Sequence, residues 1–556
     1  MLRPLLCRCE GFFAAAFFLL CCLLPAQAQT SGTSPTADEP RFDILEFVVR
    51  GDTLLGAATI ERVVYGFLGP GKTVADAENA RKALERAYQD AGYLSVSVLL
   101  PPQQVGAEGG EVLLQVVAAP VDRLRVTGSQ YNLPSQIRAA VPSLQPGTVP
   151  NFNEMQEELR TLSRTGVDRD ITPILAAGQR PATLDVELKV QDQLPVHGAI
   201  EANNKQALDT QAGRLEASIS VDNLFQRAHS LGLYWIVSPR RTSESNIQIL
   251  SYQLPLGGVG DRLSLQFTNS DSNTATAVGD STVSRGQSLR LRWRDALRAR
   301  TGINHGLSWG LAWRDLRDRS LAADGVASDL PSLRYSTVQL GYDLQLESSL
   351  PRRSSAMQVE LTAGLPGVNR RDVECFGRLR EQFACKRDQA GPGFQVFALN
   401  VQHREPLGAW NLLLRLQAQA SDSPLVSAEQ LVVGGQDSVR GYFEGEQAAD
   451  LGAVLRMELS TPGWAAWEGA SLNAVAFSDI AGLRRLYVSA EEVATTGLAS
   501  AGLGLRASSG SGLQFSLTWA RVLKDSARLV NGEQRPVSGA LANRQQRWDL
   551  SLRHAF

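Results

Sequence analysis

Apolar residues follow two different spacings along the chain, and the spacing changes near residue 193. Before that point some segments repeat apolar residues every three or four positions, which predicts helices, and others every second position, which predicts strands. Residues 75–93 give the clearest helix, because five side chains share one face. They are Ala77, Ala80, Leu84, Tyr88 and Ala91. A chain that mixes both spacings in short segments is predicted to form α+β domains.

These segments follow one order twice. Residues 41–118 are predicted to run strand, helix, helix, strand, strand, starting with FDILEFVVRGD. Residues 119–192 repeat that order and end in the alternating segment TLDVELKVQDQ. Two tandem α+β units are typical of interaction modules, and each leaves a sheet edge free to pair with another strand.

From residue 193 onward the helical spacing disappears, and apolar residues alternate with small or polar ones. Such rows include Leu263/Leu265/Phe267, Leu307/Trp309/Leu311/Trp313, Leu412/Leu414/Leu416 and Leu513/Phe515/Leu517/Trp519. A soluble β-sandwich also alternates, but here the polar positions carry many charges, such as Arg290, Arg292 and Asp343. This pattern favours a transmembrane barrel with apolar rows against lipid and charged rows in a wet lumen. At ~10 residues per span, residues 193–556 predict about sixteen antiparallel strands, and two more or two fewer fit equally well.

The last ten residues, RWDLSLRHAF, form one more alternating row. Its apolar face holds Trp548, Leu550, Leu552, His554 and the terminal Phe556. A closing strand that ends on an aromatic resembles the signal by which the barrel-assembly machinery recognises outer-membrane barrels. His554 stands where an aromatic is more usual.

The N-terminus is predicted to be a signal peptide, residues 1–28. Arg3 and Arg8 precede the apolar run FFAAAFFLLCCLLP, and Ala26-Gln27-Ala28 is a cleavage site of the A-x-A kind. The mature chain therefore acts outside the cytoplasm, where residues 29–40 form a polar linker.

Four of the six cysteines lie in this leader, which leaves Cys375 and Cys385. In an oxidising compartment the pair predicts a disulfide that closes a polar loop. Two free thiols, or a metal site that lacks two ligands, are the alternatives.

Two enzyme-like motifs occur in unsuitable surroundings. GFLGPGKT at 66–73 fits the phosphate-binding pattern, but that loop must follow a strand. Here a helical segment precedes it, so Pro70-Gly71 is interpreted as a turn between helices. GLSWG at 306–310 fits the nucleophile pattern, yet Ser308 lies inside an alternating row instead of at a strand-to-helix turn.

Other site classes find little support either. The five histidines show no spacing typical of a metal site, and a formal net charge of −2 argues against a nucleic-acid partner. We expect no enzymatic activity, no cofactor and no metal.

The stretch GGQDSVRGYFEGE, residues 434–446, lies in a long hairpin between the predicted strands 411–421 and 451–460. A simple turn would use Asn, Asp and Gly. This one places Arg440 within a glycine frame of Gly434, Gly435 and Gly441. Because an arginine fork binds a carboxylate directionally, the loop is predicted to dock.

The residues VRGY, which begin at Val439 and end at Tyr442, resemble a motif of the two-partner secretion transporters (TpsB type). These belong to the superfamily of POTRA–barrel polypeptide transporters. FDILEFVVRGDTLL and AYQDAGYLSVSVLLPPQQV resemble parts of their first POTRA module, and SYQLPLGG at 251–258 resembles an early barrel hairpin. The resemblance covers nearly all of 41–556. It implies periplasmic POTRA modules at 41–118 and 119–192, and a sixteen-stranded barrel at 193–556 in a Gram-negative outer membrane.

The resemblance also implies a lock inside the barrel. In the family the sixth extracellular loop folds back into the lumen, where its arginine meets an aspartate of an F-x-D-x-G element. Arg440 and Asp479 occupy these roles here, and Phe477 matches the element. Its glycine is Gly482, one place late, which puts the local backbone in doubt.

The implied function is export of one large exoprotein, an adhesin, haemolysin or contact-dependent toxin, captured by its N-terminal secretion domain. An assembly factor that inserts other barrels, a passive porin and a hydrolase built on Ser308 are the alternatives. Outer-membrane lipids surround the barrel in each case. Residues 29–40 lack helical spacing, so no plugging helix is expected, and loop 434–446 would be the main occupant of the lumen.

Overall fold

A computed structural model describes most of the chain. The described residues are 40–51, 54–104, 110–165, 168–208, 210–257, 260–272, 276–278, 281–283, 285–297, 302–317, 319–321, 327–329, 331–348, 352–467, 469–488, 493–530, 533–536 and 546–556. The predicted signal peptide and nearly all of the linker, with the expectation that no helix plugs the pore, lie outside them. The chain divides into two compact units, of which one holds the described residues up to Ala91 with Val96–Ala118, and the other holds the rest.

The first unit is a small α+β module. In chain order its elements are β1 Phe42–Gly51, α1 Ala57–Val64, β2 Gly69–Lys72, α2 Val74–Asp90, β3 Val96–Leu99 and β4 Gly110–Ala118. The sheet order is β2-β1-β4-β3, with β1 and β4 parallel. Helix α2 buries the face that its spacing predicts, except that Ala91 follows the helix and is half-buried.

The GFLGPGKT segment differs from the predicted turn. Gly69–Lys72 form the edge strand β2, and the backbone N–H of Gly71 donates to Asp43 at 2.8 Å. A helix and a single 3-10 turn precede it, as the argument against phosphate binding required. The N-terminus of α2 is capped within the chain, because Thr73 and Asp76 form a reciprocal capping box.

The second module repeats the plan with three strands. Its elements are β5 Val121–Thr127, α3 Pro134–Ala139, α4 Phe152–Thr165, β6 Arg169–Ala177 and β7 Leu184–Asp192. The sheet order is β5-β7-β6, with β5 and β7 parallel. The alternation in β7 sends Val186, Leu188 and Val190 into a core against the two helices.

Asp192, at the end of β7, holds the second module against the barrel. Its carboxylate accepts hydrogen bonds from the backbone N–H groups of residues 130–132 at 2.8–2.9 Å and from the side chain of Asn132 at 3.0 Å. The loop that it fixes contacts the turn after the second barrel strand. There Gln226 donates to the Tyr131 carbonyl at 2.9 Å, and Asn223 donates to the Asn132 side chain at 2.9 Å.

Sixteen long strands form a closed antiparallel barrel, as the sequence predicted. They are β8 Val196–Asn203, β9 Arg214–Leu224, β10 His229–Val237, β11 Ser245–Pro255, β12 Arg262–Ser272, β15 Gly286–Ala296, β16 Ile303–Leu316, β19 Leu333–Glu347, β20 Ser354–Gly364, β23 Gln395–Leu407, β24 Trp410–Ser421, β27 Leu451–Ser460, β29 Ala470–Arg484, β30 Thr495–Ser509, β31 Leu513–Lys524 and β34 Gln546–Ala555. Each strand pairs with the next, and β34 pairs with β8 to close the ring. The short strand β28, Trp464–Trp467, follows β27 and pairs with the start of β29.

Short elements occupy the loops between these strands. They are the hairpins β13 Thr276–Val278 with β14 Ser281–Val283, β17 Arg319–Leu321 with β18 Ala327–Asp329, β21 Asp372–Cys375 with β22 Arg378–Glu381, β25 Leu431–Val433 with β26 Gln447–Ala449, and β32 Ala527–Val530 with β33 Glu533–Pro536, and the helices α5 Pro366–Asn369 and α6 Gln382–Lys386.

The barrel wall exposes apolar side chains on its outer face and buries polar ones on its inner face, which is the opposite of a soluble protein. Trp309, Leu311 and Trp313 of β16 are exposed, whereas Ser308 and Arg314 on the opposite face are buried. Exposed apolar rows and buried polar residues suit strands with lipid outside and a polar interior. Ser308 lies in the middle of a wall strand, as predicted. No helix among the described residues is both long and apolar enough to cross a membrane.

The end of the chain lies at the seam of the barrel. Leu550, Leu552 and Phe556 are exposed on the apolar face of β34. The backbone of Phe556 exchanges two hydrogen bonds with Gly198 at the start of β8, at 2.8 and 2.9 Å. A Cβ atom at position 198 would lie 2.3 Å from the Phe556 ring, so Gly198 leaves the space in which the terminal aromatic packs.

Candidate functional site: a loop folded into the barrel

The loop 422–450 joins β24 to β27 and folds inward. It contains a 3-10 turn at Ser427–Glu429 and the hairpin β25–β26, and its tip is the segment 434–446. The tip contacts residues of β27, β29, β30, β31 and β34, and a bridge joins Glu444 to Ala207 after β8. A segment that touches so many wall strands lies in the lumen.

Arg440 and Asp479 form a bidentate ion pair. The Arg440 Nη2 atom lies 2.7 Å from Asp479 Oδ1, and Nε lies 2.7 Å from Oδ2. The backbone N–H of Arg440 adds a third hydrogen bond to Oδ2 at 3.1 Å. Arg440 is 4% exposed and Asp479 is 0% exposed. Both charges have left solvent, so their attraction is strong and loss of either partner is costly, about 3–5 kcal/mol for a buried pair.

A second carboxylate, which the sequence argument missed, completes the site. Glu458 on β27 accepts a hydrogen bond from Arg440 Nη1 at 2.7 Å and another from Arg506 Nη2 at 3.0 Å. Arg456, two residues earlier, donates to the backbone carbonyls of Gln436 and Asp437. Glu458 and Arg456 carry no motif of their own and occupy ordinary lumen positions of an alternating strand. Only the spatial approach of β27 to the loop reveals them.

Phe477 lies under the arginine. The Arg440 guanidinium carbon is 3.6 Å from the centre of the Phe477 ring, which is a cation–π contact. The expected glycine of this element, Gly482, has open space where a Cβ atom would lie. Gly502, the register partner of Phe477 on β30, provides the room instead, because a Cβ there would lie 2.5 Å from the ring.

Tyr442 fixes the loop at a second point. The carbonyls of Ala499 and Lys524 both lie within hydrogen-bonding distance of its hydroxyl, which has one proton to donate, and the hydroxyl accepts from the Ala499 N–H at 3.0 Å. Tyr442 is buried in an apolar cluster with Val439 and residues of four wall strands. Apolar packing of Val439 and Tyr442 thus holds the chain on both sides of Arg440.

The glycines of the loop serve close packing. Gly434, Gly435 and Gly441 all have positive φ angles. A Cβ atom at position 435 would lie 2.2 Å from the Glu444 carboxyl carbon, and one at position 441 would press on Ala520 at 3.2 Å. A side chain at position 435 would therefore displace the Glu444 carboxylate within the tip, and one at position 441 would require a small shift away from Ala520.

The tip also contacts the chain just after β8. Lys205 lies 3.0 Å from Asp437 and 3.2 Å from Glu216, and Gln436 donates to Asn204 at 3.2 Å. Asn204 in turn bonds the backbone of β34 at Trp548 and Leu550. These partners are far apart in sequence and have no motif, so sequence reasoning did not find them.

Cys375 and Cys385 form a disulfide in the structure, between β21 and α6. His197 Nε2 lies 2.8 Å from Asp168 and 3.6 Å from Asp222, and this is the one grouping among the described residues whose ligand atoms converge. Almost half of the His197 side chain is exposed, and a histidine–carboxylate hydrogen bond accounts for the geometry.

Comparison with known families agrees with this architecture. The profile described as haemolysin secretion/activation protein ShlB/FhaC/HecB matches residues 183–507, and the ShlB-type POTRA domain matches residues 42–119. The outer membrane transporter CdiB of Escherichia coli is 25% identical over 446 residues, which cover 77% of this chain and 70% of that protein. The heme/hemopexin transporter protein HuxB of Haemophilus influenzae is 21% identical over 429 residues, 72% of this chain and 68% of that protein.

Solved structures show the same fold. The structure of CdiB from Escherichia coli superposes with a TM-score of 0.62 at 20% identity, over 95% of this chain and 93% of that one. BamA from Haemophilus ducreyi lacking POTRA domains 1–3 gives 0.53 at 14% identity, over 93% and 100%. The first family profile spans more than half of the chain. The protein therefore belongs to the haemolysin secretion/activation family of outer-membrane transporters, which export partner proteins by two-partner secretion.

Proposed function

We propose that this protein exports one large exoprotein of the adhesin, haemolysin or contact-dependent toxin type from the periplasm to the cell surface. The observation that carries the proposal is the buried Arg440–Asp479 pair, which holds a loop across the lumen of a POTRA–barrel transporter. A transport barrel needs a closed resting state and a path through its lumen. A loop held by a few directional contacts supplies both, because it can undock without unfolding the wall.

Capture of the partner is assigned to the two modules, which face the periplasm in this proposal. Their division follows the sequence, with a signal peptide at 1–28, a linker at 29–40, modules at 41–118 and 119–192, and the barrel from 193. Strand β6 is an edge of its sheet, and Ile174 on it is exposed. An extended segment of the partner's secretion domain can pair with such an edge, gaining affinity from main-chain hydrogen bonds.

Loop 434–446 then acts as the gate. Undocking breaks the Arg440 contacts to Asp479 and Glu458 and frees the space that the tip occupies. Val439 and Tyr442 return the loop to the wall by apolar packing once the chain has passed. The exposed row with Leu550, Leu552 and Phe556 serves lipid contact and recognition during barrel assembly.

The test compares proteins outside cells that carry the intact chain, the Arg440→Ala variant, or no transporter. Export predicts that one large protein disappears from the surface and medium without the transporter, and is strongly reduced by Arg440→Ala. Arg353→Ala is the matched control, because Arg353 pairs with Glu405 near the ends of β20 and β23, away from the loop.

Other outcomes identify the other functions. Depletion of many outer-membrane barrels, with no specific protein lost outside, would mark an assembly factor. Full secretion with Arg440→Ala would show that the loop is no gate.

A further inference from the structure

Asp450 is a buried carboxylate of loop 422–450 itself. The loop has an outgoing stem, residues 422–433, and a returning stem, residues 447–450, and Asp450 is the last residue of the returning stem. Its side chain is 0% exposed, and β27 begins with the next residue. Two oxygen atoms accept five hydrogen bonds from four residues. The donors are Arg387 Nη1 at 2.5 Å, Arg387 Nη2 at 2.9 Å, Leu425 N at 3.0 Å, Gln430 Nε2 at 3.2 Å and Leu486 N at 2.7 Å.

These donors come from three loops. Leu425 and Gln430 belong to the outgoing stem of loop 422–450, Leu486 follows β29, and Arg387 follows α6 in the loop between β20 and β23. Arg387 also donates to the carbonyls of Leu425 and Leu486, at 2.8 and 2.9 Å. One arginine–aspartate pair thus joins both stems of the lumen loop to its two neighbours.

Two further contacts hold the outgoing stem. Leu425, Val426 and Ala428 pack in a buried apolar cluster with Phe383 and Phe394 of the Arg387 loop. Glu429 forms a buried ion pair with Arg314 of β16 and accepts a hydrogen bond from the Tyr335 hydroxyl at 2.6 Å. The disulfide closes the hairpin that precedes Arg387, and Cys385 is two residues away.

These ion pairs and hydrogen bonds of the stems share no side chain with those of the tip, whereas Leu431, Val433 and Ala449 of the hairpin β25–β26 pack in one apolar cluster with Val439 and Tyr442 of the tip. Arg440, Asp479 and Glu458 hold the tip, whereas Arg387, Asp450 and Glu429 hold the stems. Undocking of the tip therefore removes none of the hydrogen bonds at Asp450. The Arg387 side chain is 13% exposed and that of Asp450 0% exposed, so this bidentate contact is largely desolvated, directional and costly to break.

We propose that Arg387 and Asp450 are positioning residues that keep the stems of loop 422–450 fixed during export, so that movement is confined to the tip, 434–446. This inference rests on the proposed function. The movable tip is held by the Arg440 site, and the fixed stems are held by the separate Arg387–Asp450 site.

The test uses two single-cysteine reporters in the full chain. Ser438→Cys reports on the tip and Ala428→Cys on the stem, since these residues are 8% and 5% exposed. Cys375 and Cys385 are paired, so each reporter is the only free thiol of the described residues. Cells that export the partner, and cells that lack the partner, are treated with a membrane-impermeant maleimide.

In the otherwise unchanged chain, export is expected to raise the labelling rate of Ser438→Cys at least tenfold and to leave Ala428→Cys protected. Arg387→Gln is expected to expose the stem reporter during export, and addition of Glu429→Gln to expose it further. Arg380→Gln is the matched control in the same loop, because the pair that Arg380 forms with Asp388, at 3.8 Å, is exposed.

Equal labelling of both reporters during export by the unchanged chain would overturn the inference. So would a stem reporter that stays protected when both Arg387→Gln and Glu429→Gln are present. A tip reporter that is never labelled during active export would instead contradict loop movement in the proposed function. Heat-modifiable electrophoretic mobility, measured on every variant, shows that the barrel has folded.

Discussion

Asp479 and Asp192 each use one carboxylate to hold a loop, but in opposite surroundings. Asp479 is fully buried in the barrel and bound by the charged fork of Arg440. Asp192 is half-buried at the base of the second module and bound by neutral N–H groups of residues 130–132. The first contact joins two buried charges, so it is strong while both partners are present, and loss of either partner leaves a buried charge unpaired. The position of the loop therefore depends on this one contact, as expected for a gate. The second contact joins a carboxylate mainly to neutral donors, with Arg169 as its charged neighbour, which suits a brace.

Removal of the buried carboxylate is expected to have the largest effect. Asp479→Ala leaves Arg440 with Glu458 alone, and loss of one partner of a buried pair costs about 3–5 kcal/mol. The tip should undock, so protease cleavage within 434–446 should rise by more than a hundredfold and the pore conductance in planar bilayers should increase. Unchanged cleavage with a correctly folded barrel would show that Tyr442 and the apolar cluster hold the loop without the ion pair.

A substitution of Arg440 that keeps its charge tests whether the two-point geometry of the ion pair matters in addition to the charge. Arg440→Lys keeps the positive charge but loses the two-point contact with Asp479. We expect intermediate loop cleavage and partial secretion, between those of the unchanged chain and Arg440→Ala. If the lysine variant behaves like the unchanged chain, the fork geometry is dispensable and only the charge matters.

Tyr442→Phe tests the neutral contact beside the gate. It removes the hydroxyl that bonds the backbone of Ala499 and Lys524 in a partly buried position, where the lost hydrogen bonds cost about 1–3 kcal/mol at most. Loop cleavage should rise about tenfold, less than for Asp479→Ala. An effect as large as that of Asp479→Ala would place the main anchor at the tyrosine.

The brace is expected to give the smallest effect, and one that depends on pH. Burial opposes ionisation of Asp192, but hydrogen bonds from the Asn132 side chain and the backbone N–H groups of 130–132 prevail and lower its pKa below the usual value. The carboxylate therefore stabilises the fold above the unfolded-state pKa of about 3.9, and this stabilisation is lost as the pH falls through the lower folded-state pKa. Hydrogen-exchange protection factors of residues 130–132 should fall below about pH 4.

Asp192→Asn should reduce that protection at neutral pH and make it independent of pH. Asp170→Asn is the control, because Asp170 is exposed on the neighbouring strand β6. A pH response that survives Asp192→Asn would assign the brace to another group.

The sheets of the two modules and the sheet of the barrel could both be predicted, because the spacing of apolar residues that indicates each one is a local property of the sequence. The α2 face and the alternation in β7 mark soluble modules, and rows such as Leu307 to Trp313 mark a wall that faces lipid. Length alone predicted about sixteen strands, with two more or two fewer fitting equally well, and the structure has sixteen. Edge strand β2 was missed, since Gly69–Lys72 have no strand propensity and pair only because β1 lies beside them.

The site was predictable only where a motif marked it. Arg440 and Asp479 could be named from their motifs, and the structure brings them within 2.7 Å. Gly482 was named from the motif alone, and the glycine that leaves room for the Phe477 ring, Gly502, lies across the strand pair and was not found. Glu458, Lys205, Arg387 and Asp450 were not found at all.

The sequence by itself therefore determined the element types, the two-module and barrel order, and the arginine loop, because periodicity and short motifs are properties of neighbouring residues. The tertiary structure alone decided which charges meet. A lumen-facing charge has the same local pattern wherever it sits on a strand, and only the register of the closed barrel and the inward path of the loop select its partner. The separation of a tip site at Arg440 from a stem site at Arg387 is such a decision.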